Sequence, residues 1–338
     1  MRARLERGIG TSALVVGLGA RSRDALVPAL SSAGVPIGYV HDRDPARAED
    51  FARLQEAGRV PEWAVFSTEL PTRVDDFRIA VLATPHDSHY ALTRRLVAAG
   101  LWVLKEKPLA RDHAEASALV RECGSQISIL VERPHLEPFQ LAARLLDAIG
   151  EPVRYEIRYW RTPQEYRDTW RNDFAQAGGG ALLDLGYHVM DVVVRLWGPP
   201  VHLSASRGHP DQARHGYIVE EDVRLRMRHR SPCVGSVHIS RVADAPLESY
   251  EVIGSEGVLR FNKSTVTLSP RGGPPKSWTY PVNPLDHTAL GLRGALDLVG
   301  KPEAALAEAR HGVQVMDVIA QAYDALADRR AQEGRTAP

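Results

Sequence analysis

Asp184 and His188 stand four residues apart in the run Gly178-Gly179-Gly180-Ala181-Leu182-Leu183-Asp184-Leu185-Gly186-Tyr187-His188-Val189-Met190-Asp191. On a helix, side chains four apart are neighbours, and Asp191, three beyond His188, shares their face. A histidine titrates near neutral pH, so it can take or give a hydroxyl proton. A carboxylate beside it can orient the imidazole or bond a substrate. A second group lies upstream, Lys107 in Lys105-Glu106-Lys107-Pro108, just after the apolar run Leu101-Trp102-Val103-Leu104. A lysine at a strand end can stabilise charge developing on an oxygen. Lys107, Asp184 and His188 can therefore converge on one hydroxyl or carbonyl. Taken singly they fit blander roles: a surface pair, a solvated lysine, and a flexible triple-glycine lead-in to a helix.

Such a constellation needs a scaffold, and the first half of the chain supplies a pattern for one. Ala13-Leu14-Val15-Val16 is a continuous apolar run, as expected of a parallel strand covered on both faces. A helix is expected from about Asp24 to Ala33, and a second strand over Ile37–Val40, ending at His41-Asp42. Asp44 then reads as a helix N-cap with Pro45 in the first helical position. Further strands are expected at Ala64–Phe66, Ile79–Ala83, Leu101–Leu104 and Ile127–Val131, with a helix opening at Thr84–His89. Strands alternating with helices imply a doubly wound parallel sheet in an α/β fold.

After about residue 134 the grammar changes. Val153, Tyr155, Ile157 and Tyr159 alternate with polar residues, the mark of a half-solvated strand. Similar segments recur near 217–229, 233–241, 248–253 and 257–268, which implies an open, mostly antiparallel sheet. The helix expected near 180–197 interrupts this series, and two more, near 285–299 and 303–328, follow it.

The bulk composition narrows the field. A chain of 338 residues has room for about two domains. Lys+Arg and Asp+Glu both number 42, so no charge excess calls for nucleic acid or an anionic membrane. Cys123 and Cys233 make neither a disulfide framework nor a metal-ligand spacing, which fits a reducing, cytoplasmic setting and no metal. The basic start Met1–Arg7 resembles a signal-peptide head, but the apolar stretch Ala13–Ala20 behind it is short and contains two glycines. No apolar run of about 18 residues suggests a membrane span.

Gly17-Leu18-Gly19-Ala20-Arg21-Ser22 reads as a dinucleotide fingerprint between a strand and a helix. Gly17 permits the tight turn, and Gly19 lets the backbone approach a pyrophosphate at the helix N-terminus. Ser22 stands where a third glycine is usual and is small enough for close packing. Asp42, 25 residues after Gly17, can accept from ribose hydroxyls and would repel a 2′-phosphate, which favours NAD. The adjacent Arg43 can contact adenine or a phosphate, so NADP stays open. An ordinary glycine turn and a strand-end aspartate are the alternatives.

These elements together resemble the glucose–fructose oxidoreductase / inositol dehydrogenase / rhizopine-catabolism (Gfo/Idh/MocA) family. The resemblance is carried by Gly17-Leu18-Gly19, Asp42, Ala83-Thr84-Pro85 with His89, Glu106-Lys107-Pro108, Gly179-Gly180 through Asp184, His188 and Asp191, and Glu251–Gly257. It covers about residues 12–325. It implies a Rossmann domain over 1–133, a substrate and oligomerisation domain over 134–302, and a last helix packing back on the first. Thr84, Pro85, His89 and Glu106 are implied to line the NAD(P) site. Lys107, Asp184 and His188 are implied to line the hydride-transfer site, with His188 as acid/base. Relatives commonly oxidise or reduce a secondary alcohol of a sugar or cyclitol, and often form dimers or tetramers through exposed sheet faces.

Two departures bear on the site. Ser22 replaces the third glycine, and Val131-Glu132-Arg133-Pro134 stands where the family often carries an Asn- or Arg-rich stretch. Arg133 can reach a substrate or form an interdomain salt bridge. Upstream of the glycine run, Tyr159–Arg171 is rich in aromatics and arginines; Arg161, Tyr166 and Trp170 are candidates to read a substrate. Aromatic faces suit sugar rings and arginines suit phosphate or carboxylate; the alternative, slightly favoured for any one residue, is that Trp160 and Trp170 pack and the arginines are solvated. The leading expectation is an NAD-dependent sugar or cyclitol dehydrogenase or reductase. Reduction of a keto-sugar nucleotide, glycoside hydrolysis through transient oxidation, and a non-catalytic dinucleotide sensor are the other readings.

Overall fold

The computed structural model describes residues 12–71, 74, 76–163, 168–208 and 217–336. The chain forms two compact units. The described residues up to Glu132, with Asn283–Gly312, make the first; Arg133–Val282 and the chain from Val313 make the second.

The first unit is built on a parallel sheet of β1 (Ser12–Val16), β2 (Ile37–His41), β3 (Val65–Ser67), β4 (Phe77–Leu82), β5 (Trp102–Glu106) and β6 (Ile127–Leu130). Its order is β3-β2-β1-β4-β5-β6, the doubly wound arrangement of a Rossmann fold. Every residue of β1 is buried, because helices cover both faces. The order reverses between β1 and β4, and in such sheets ligands bind outside the carboxyl ends at that point. The helix Pro284–Asp297 joins this unit. Its Leu292 and Ala295, with Ala289 and Leu296 beside them, lie three or four residues apart and pack into the first core.

The second unit carries a sheet of β7 (Pro152–Trp160), β8 (His202–Arg207), β9 (Asp222–Arg228), β10 (Val234–Ser240), β11 (Leu247–Gly254), β12 (Gly257–Phe261), β13 (Thr265–Pro270) and β14 (Lys276–Thr279). The order is β14-β13-β12-β11-β7-β10-β9-β8. All neighbours are antiparallel except β7 and β10, which run parallel. In β9, Val223, Leu225 and Met227 are buried while Arg224, Arg226 and Arg228 are exposed, so one face is packed and the other solvated. The packed face meets the helix Gly186–Trp197: a Cβ at Gly186 would touch the Ile239 side chain, and Trp197 stacks on Tyr155 at 4.1 Å between ring centroids.

The α/β class and both sheet types agree with the sequence pattern; several elements differ in detail. The first helical path starts at Ala20, four residues before the expected Asp24, and passes through a π-helical stretch at Ser22–Leu26. Asp44 is no helix N-cap. Its Oδ1 accepts from the amide of Ala46, closing a local turn, and the helix starts at Arg47. The 257–268 segment is two strands, and β8 and β14 were not anticipated. The expected helix 180–197 breaks at Leu185 into Ala181–Asp184 and Gly186–Trp197. Asn283–Lys301, read as part of the second domain, clusters with the first unit. The last helix, Pro302–Thr336, belongs to the first unit only as far as Gly312, and from Val313 to the second.

Candidate active site

In the first unit the residues of interest gather at the carboxyl ends of the strands. Gly17 ends β1 at a φ of 93°, and a Cβ there would collide with the Ala83 carbonyl at the end of β4. Only glycine fits that turn. Around Gly19 the space is open: nothing lies within 4 Å of a Cβ built there. Ser22 is fully buried and its hydroxyl donates to the Gly17 carbonyl at 2.5 Å, so the residue replacing the third glycine closes the turn. Asp42 accepts from the Leu18 amide at 2.7 Å and from the Asp44 amide at 2.9 Å. A carboxylate has about four acceptor positions, so two remain for ribose hydroxyls. Ala20 and Arg43 are exposed. An open turn at a helix N-terminus, flanked by a strand-end aspartate, fits a dinucleotide.

The remaining candidates of this unit lie after β4 and β5. Thr84 and Ser88 share a hydrogen bond of 2.6 Å between hydroxyls, and Ser88 also donates to the Pro85 carbonyl at 2.7 Å. His89 is fully buried. Its ring nitrogens face the carbonyls of Thr84 (3.0 Å) and Pro108 (3.4 Å). Burial first, then the charges of Lys105 and His86, hold its pKa well below the ordinary range. A neutral imidazole has one N–H, so it donates to one of the two. Glu106 ends β5, and the half-buried Lys107 follows, joined to Pro108 by a cis peptide. Beneath them Lys105 is fully buried. Its ammonium donates to the carbonyls of Pro108, at 3.3 Å, and Leu109. Burial pushes its pKa down to about 7, against the opposing pull of Glu115 and Glu106.

In the second unit Asp184 and His188 are both half-buried on either side of the Leu185 break. A short helix and its successor carry one each, and Leu185 between them keeps right-handed helical dihedrals. Asp191 is buried and accepts from Arg195 at 3.2 Å. His188 sets its ring edge-on to Tyr159, 6.4 Å between centroids. Two guanidinium groups stand over the same tyrosine, Arg133 at 4.9 Å and Arg161 at 5.6 Å. Arg161 is exposed and donates to the Tyr159 hydroxyl at 3.3 Å. Arg133 is 1% exposed and pairs with Glu248 at 2.8 Å. That partner lies in its own unit, so the pair is no interdomain salt bridge. Trp170 is half-buried under the Arg171 guanidinium, 4.5 Å away. Tyr166 lies outside the described residues.

Sequence reasoning missed four residues here. Glu220 is buried, and its carboxylate accepts from the amides of Gly180 (2.9 Å) and Leu182 (3.0 Å) and from the Tyr323 hydroxyl (2.8 Å). It caps the helix that carries Asp184. Gly179 and Gly180 are small because Tyr323 and the Glu220 backbone occupy the space of their side chains. Glu221 and Arg241 are buried next door, their backbones joined at 2.9 Å. Burial raises Glu221 to about 7, with Arg241 opposing and Asp222 adding to the rise. The available signal was the acidic run Glu220-Glu221-Asp222 leading into a strand whose other polar residues are all arginines. Among the described residues no group of three or more His, Cys, Asp or Glu can hold a metal, and no helix is long and apolar enough to cross a membrane.

Known proteins share these features. Residues 11–133 match an oxidoreductase family model with an NAD-binding Rossmann fold, and residues 139–260 match the GFO/IDH/MocA C-terminal domain. A putative UDP-kanosamine synthase oxidoreductase subunit from Amycolatopsis mediterranei (strain S699) is 32% identical over 193 residues, 55% of this chain and 52% of that protein. The chain thus aligns with about half the length of that relative. Two solved structures have the same fold at 19% identity, each covering 94% of this chain and 98% of the other. One is levoglucosan dehydrogenase in complex with NADH and levoglucosan, with a TM-score of 0.78. The second is KijD10, a 3-ketoreductase from Actinomadura kijaniata in complex with NADP and TDP-benzene, with a TM-score of 0.80. With both domain models matched in order, the chain belongs to the Gfo/Idh/MocA family of NAD(P)-binding oxidoreductases.

Proposed function

We propose that the protein oxidises or reduces a secondary alcohol or ketone of a sugar or cyclitol, with NAD as the preferred dinucleotide. The observation that carries this reading is the half-buried imidazole of His188, set on Tyr159 beside two guanidinium groups, in a chain whose first unit has an open glycine turn. A bound nicotinamide dinucleotide would supply the hydride acceptor or donor. Asp42 and the turn at Gly17 and Gly19 would hold it, and the carboxylate of Asp42 favours a free 2′-hydroxyl over a phosphate. In the oxidative direction His188 removes the hydroxyl proton. Lys107 donates to the same oxygen and stabilises its developing charge. Asp184 orients the imidazole or the substrate.

The test is an NADH absorbance assay over a panel of sugars and cyclitols, followed by substitution. Lys107→Ala and His188→Ala should each lower turnover by roughly 100-fold or more. His188→Ala should keep its affinity for NADH. Near-normal turnover in both variants would sink the assignment.

A second reading is a keto-sugar-nucleotide reductase. The exposed Arg161 favours it, since its guanidinium, which donates to the Tyr159 hydroxyl, can also pair with a diphosphate. The naming of the Amycolatopsis relative after a UDP-sugar and the TDP ligand of the Actinomadura enzyme point the same way. Relative rates on free sugars and nucleotide sugars separate the two.

A further inference from the structure

Three carboxylates stand at the carboxyl ends of the first sheet: Asp42 after β2, Glu106 at the end of β5 and Glu132 after β6. A dinucleotide brings two more negative charges in its diphosphate. Like charges gathered at one edge oppose binding unless a cation is placed among them. Asp42 is occupied by two backbone amides. Glu106 and Glu132 both pair with the guanidinium of Arg21. Its Nε donates to Glu106 at 2.6 Å, its Nη2 to Glu132 at 3.4 Å and its Nη1 to the Thr288 hydroxyl at 3.1 Å. Thr288 is fixed in turn by donating to the Pro284 carbonyl at 3.2 Å. All these residues belong to the first unit.

Arg21 is also the fifth residue of the fingerprint, two past the open Gly19, on the first helical turn. Its side chain is 36% exposed, against 10% and 15% for the two glutamates, so the arginine is the most accessible member of the cluster. The two glutamates and the arginine together carry one negative charge; without the arginine they carry two. Glu106 directly precedes Lys107, so the same contact fixes the strand end that presents the lysine.

We infer that Arg21 is a positioning residue of the dinucleotide site: it halves the net charge of the Glu106–Glu132 pair so that a diphosphate can approach the glycine turn, and it anchors the end of β5. The inference rests on the dinucleotide reading above. It is tested by titrating NADH, followed by its fluorescence, into wild-type protein and variants at about 20 mM and about 300 mM salt. Arg21→Met should weaken NADH binding about tenfold or more at low salt, and the deficit should shrink at high salt as the carboxylates are screened. Arg21→Met combined with Glu132→Gln should recover most of the loss, and Arg21→Lys should fall between. Glu132→Gln alone should tighten binding, which keeps the idea testable if Arg21→Met melts early by circular dichroism. Arg21→Met that binds NADH like wild type overturns the inference. So does a loss that ignores both salt and the second substitution, or a Glu132→Gln variant that binds no better. A wild-type protein that binds neither NADH nor NADPH overturns the dinucleotide reading itself.

Discussion

Glycine does opposite things in the two units. In the first, Gly19 has nothing within 4 Å of the place its side chain would take. In the second, the places of the Gly179 and Gly180 side chains are filled by Tyr323 and by the backbone of Glu220. One glycine faces open space, which the proposed dinucleotide would use; the other two let protein pack against protein. A run of glycines therefore says that something comes close, and only the fold says what.

The largest effect should come from breaking the second arrangement. Gly180→Ala forces a methyl group into the Glu220 backbone, which cannot swing aside as a side-chain tip can. A loss of about 3 kcal/mol in urea unfolding is expected, the upper end for overpacking. Gly19→Ala should leave the urea midpoint nearly unchanged while weakening NADH binding roughly tenfold, because the backbone no longer admits the phosphate. If both variants were destabilised alike, or if Gly19→Ala bound NADH normally, the contrast between the two units would fail. Tyr323→Phe is milder. It removes one donor from a buried carboxylate that keeps its two amide partners, at a cost of about 1–3 kcal/mol. A Tyr323→Phe protein as stable as wild type would show that the amides alone satisfy Glu220.

The same contrast explains what could be read in advance. The first unit was legible because its site follows short, ordered signals: an apolar strand, Gly17 and Gly19, an acid at Asp42, and Lys107 after another apolar strand. Each is set by local backbone geometry at a strand end. The second unit was legible only as a pattern of alternation and a helix bearing Asp184 and His188. Its supports come from far away in sequence: Glu220 and Tyr323 are 103 residues apart, and Arg133 and Glu248 are 115 apart. No periodicity encodes such pairs. The break at Leu185 escaped for a related reason. The apolar stripe runs through it unchanged, so the sequence pattern carries no mark of it. Lys105 was overlooked because a charge inside an apolar strand reads as the start of a loop, whereas its ammonium turns inward to two carbonyls.

Lys105 and Glu221 give the finest test of the comparison, since each unit buries one ionisable group with a pKa near 7 and the two respond to pH in opposite directions. The folded pKa of Lys105 lies below its unfolded value of about 10.4. Below about pH 7 both states are protonated and the burial penalty is constant. From about 7 to about 10.4 the unfolded chain holds the extra proton, so stability rises with pH. Glu221 is the reverse. Its folded pKa lies above the unfolded value of about 4.3, so the folded chain holds the extra proton between about 4.3 and about 7, and stability falls across that window. Melting temperatures recorded from pH 5 to 9.5 should show Lys105→Met flattening only the alkaline rise and Glu221→Gln only the acidic fall. Each change should be on the order of 2 °C for a chain of this length. If Lys105→Met altered the acidic limb, or if neither variant changed its own limb, the two groups would not be the buried, oppositely titrating pair that their surroundings make them.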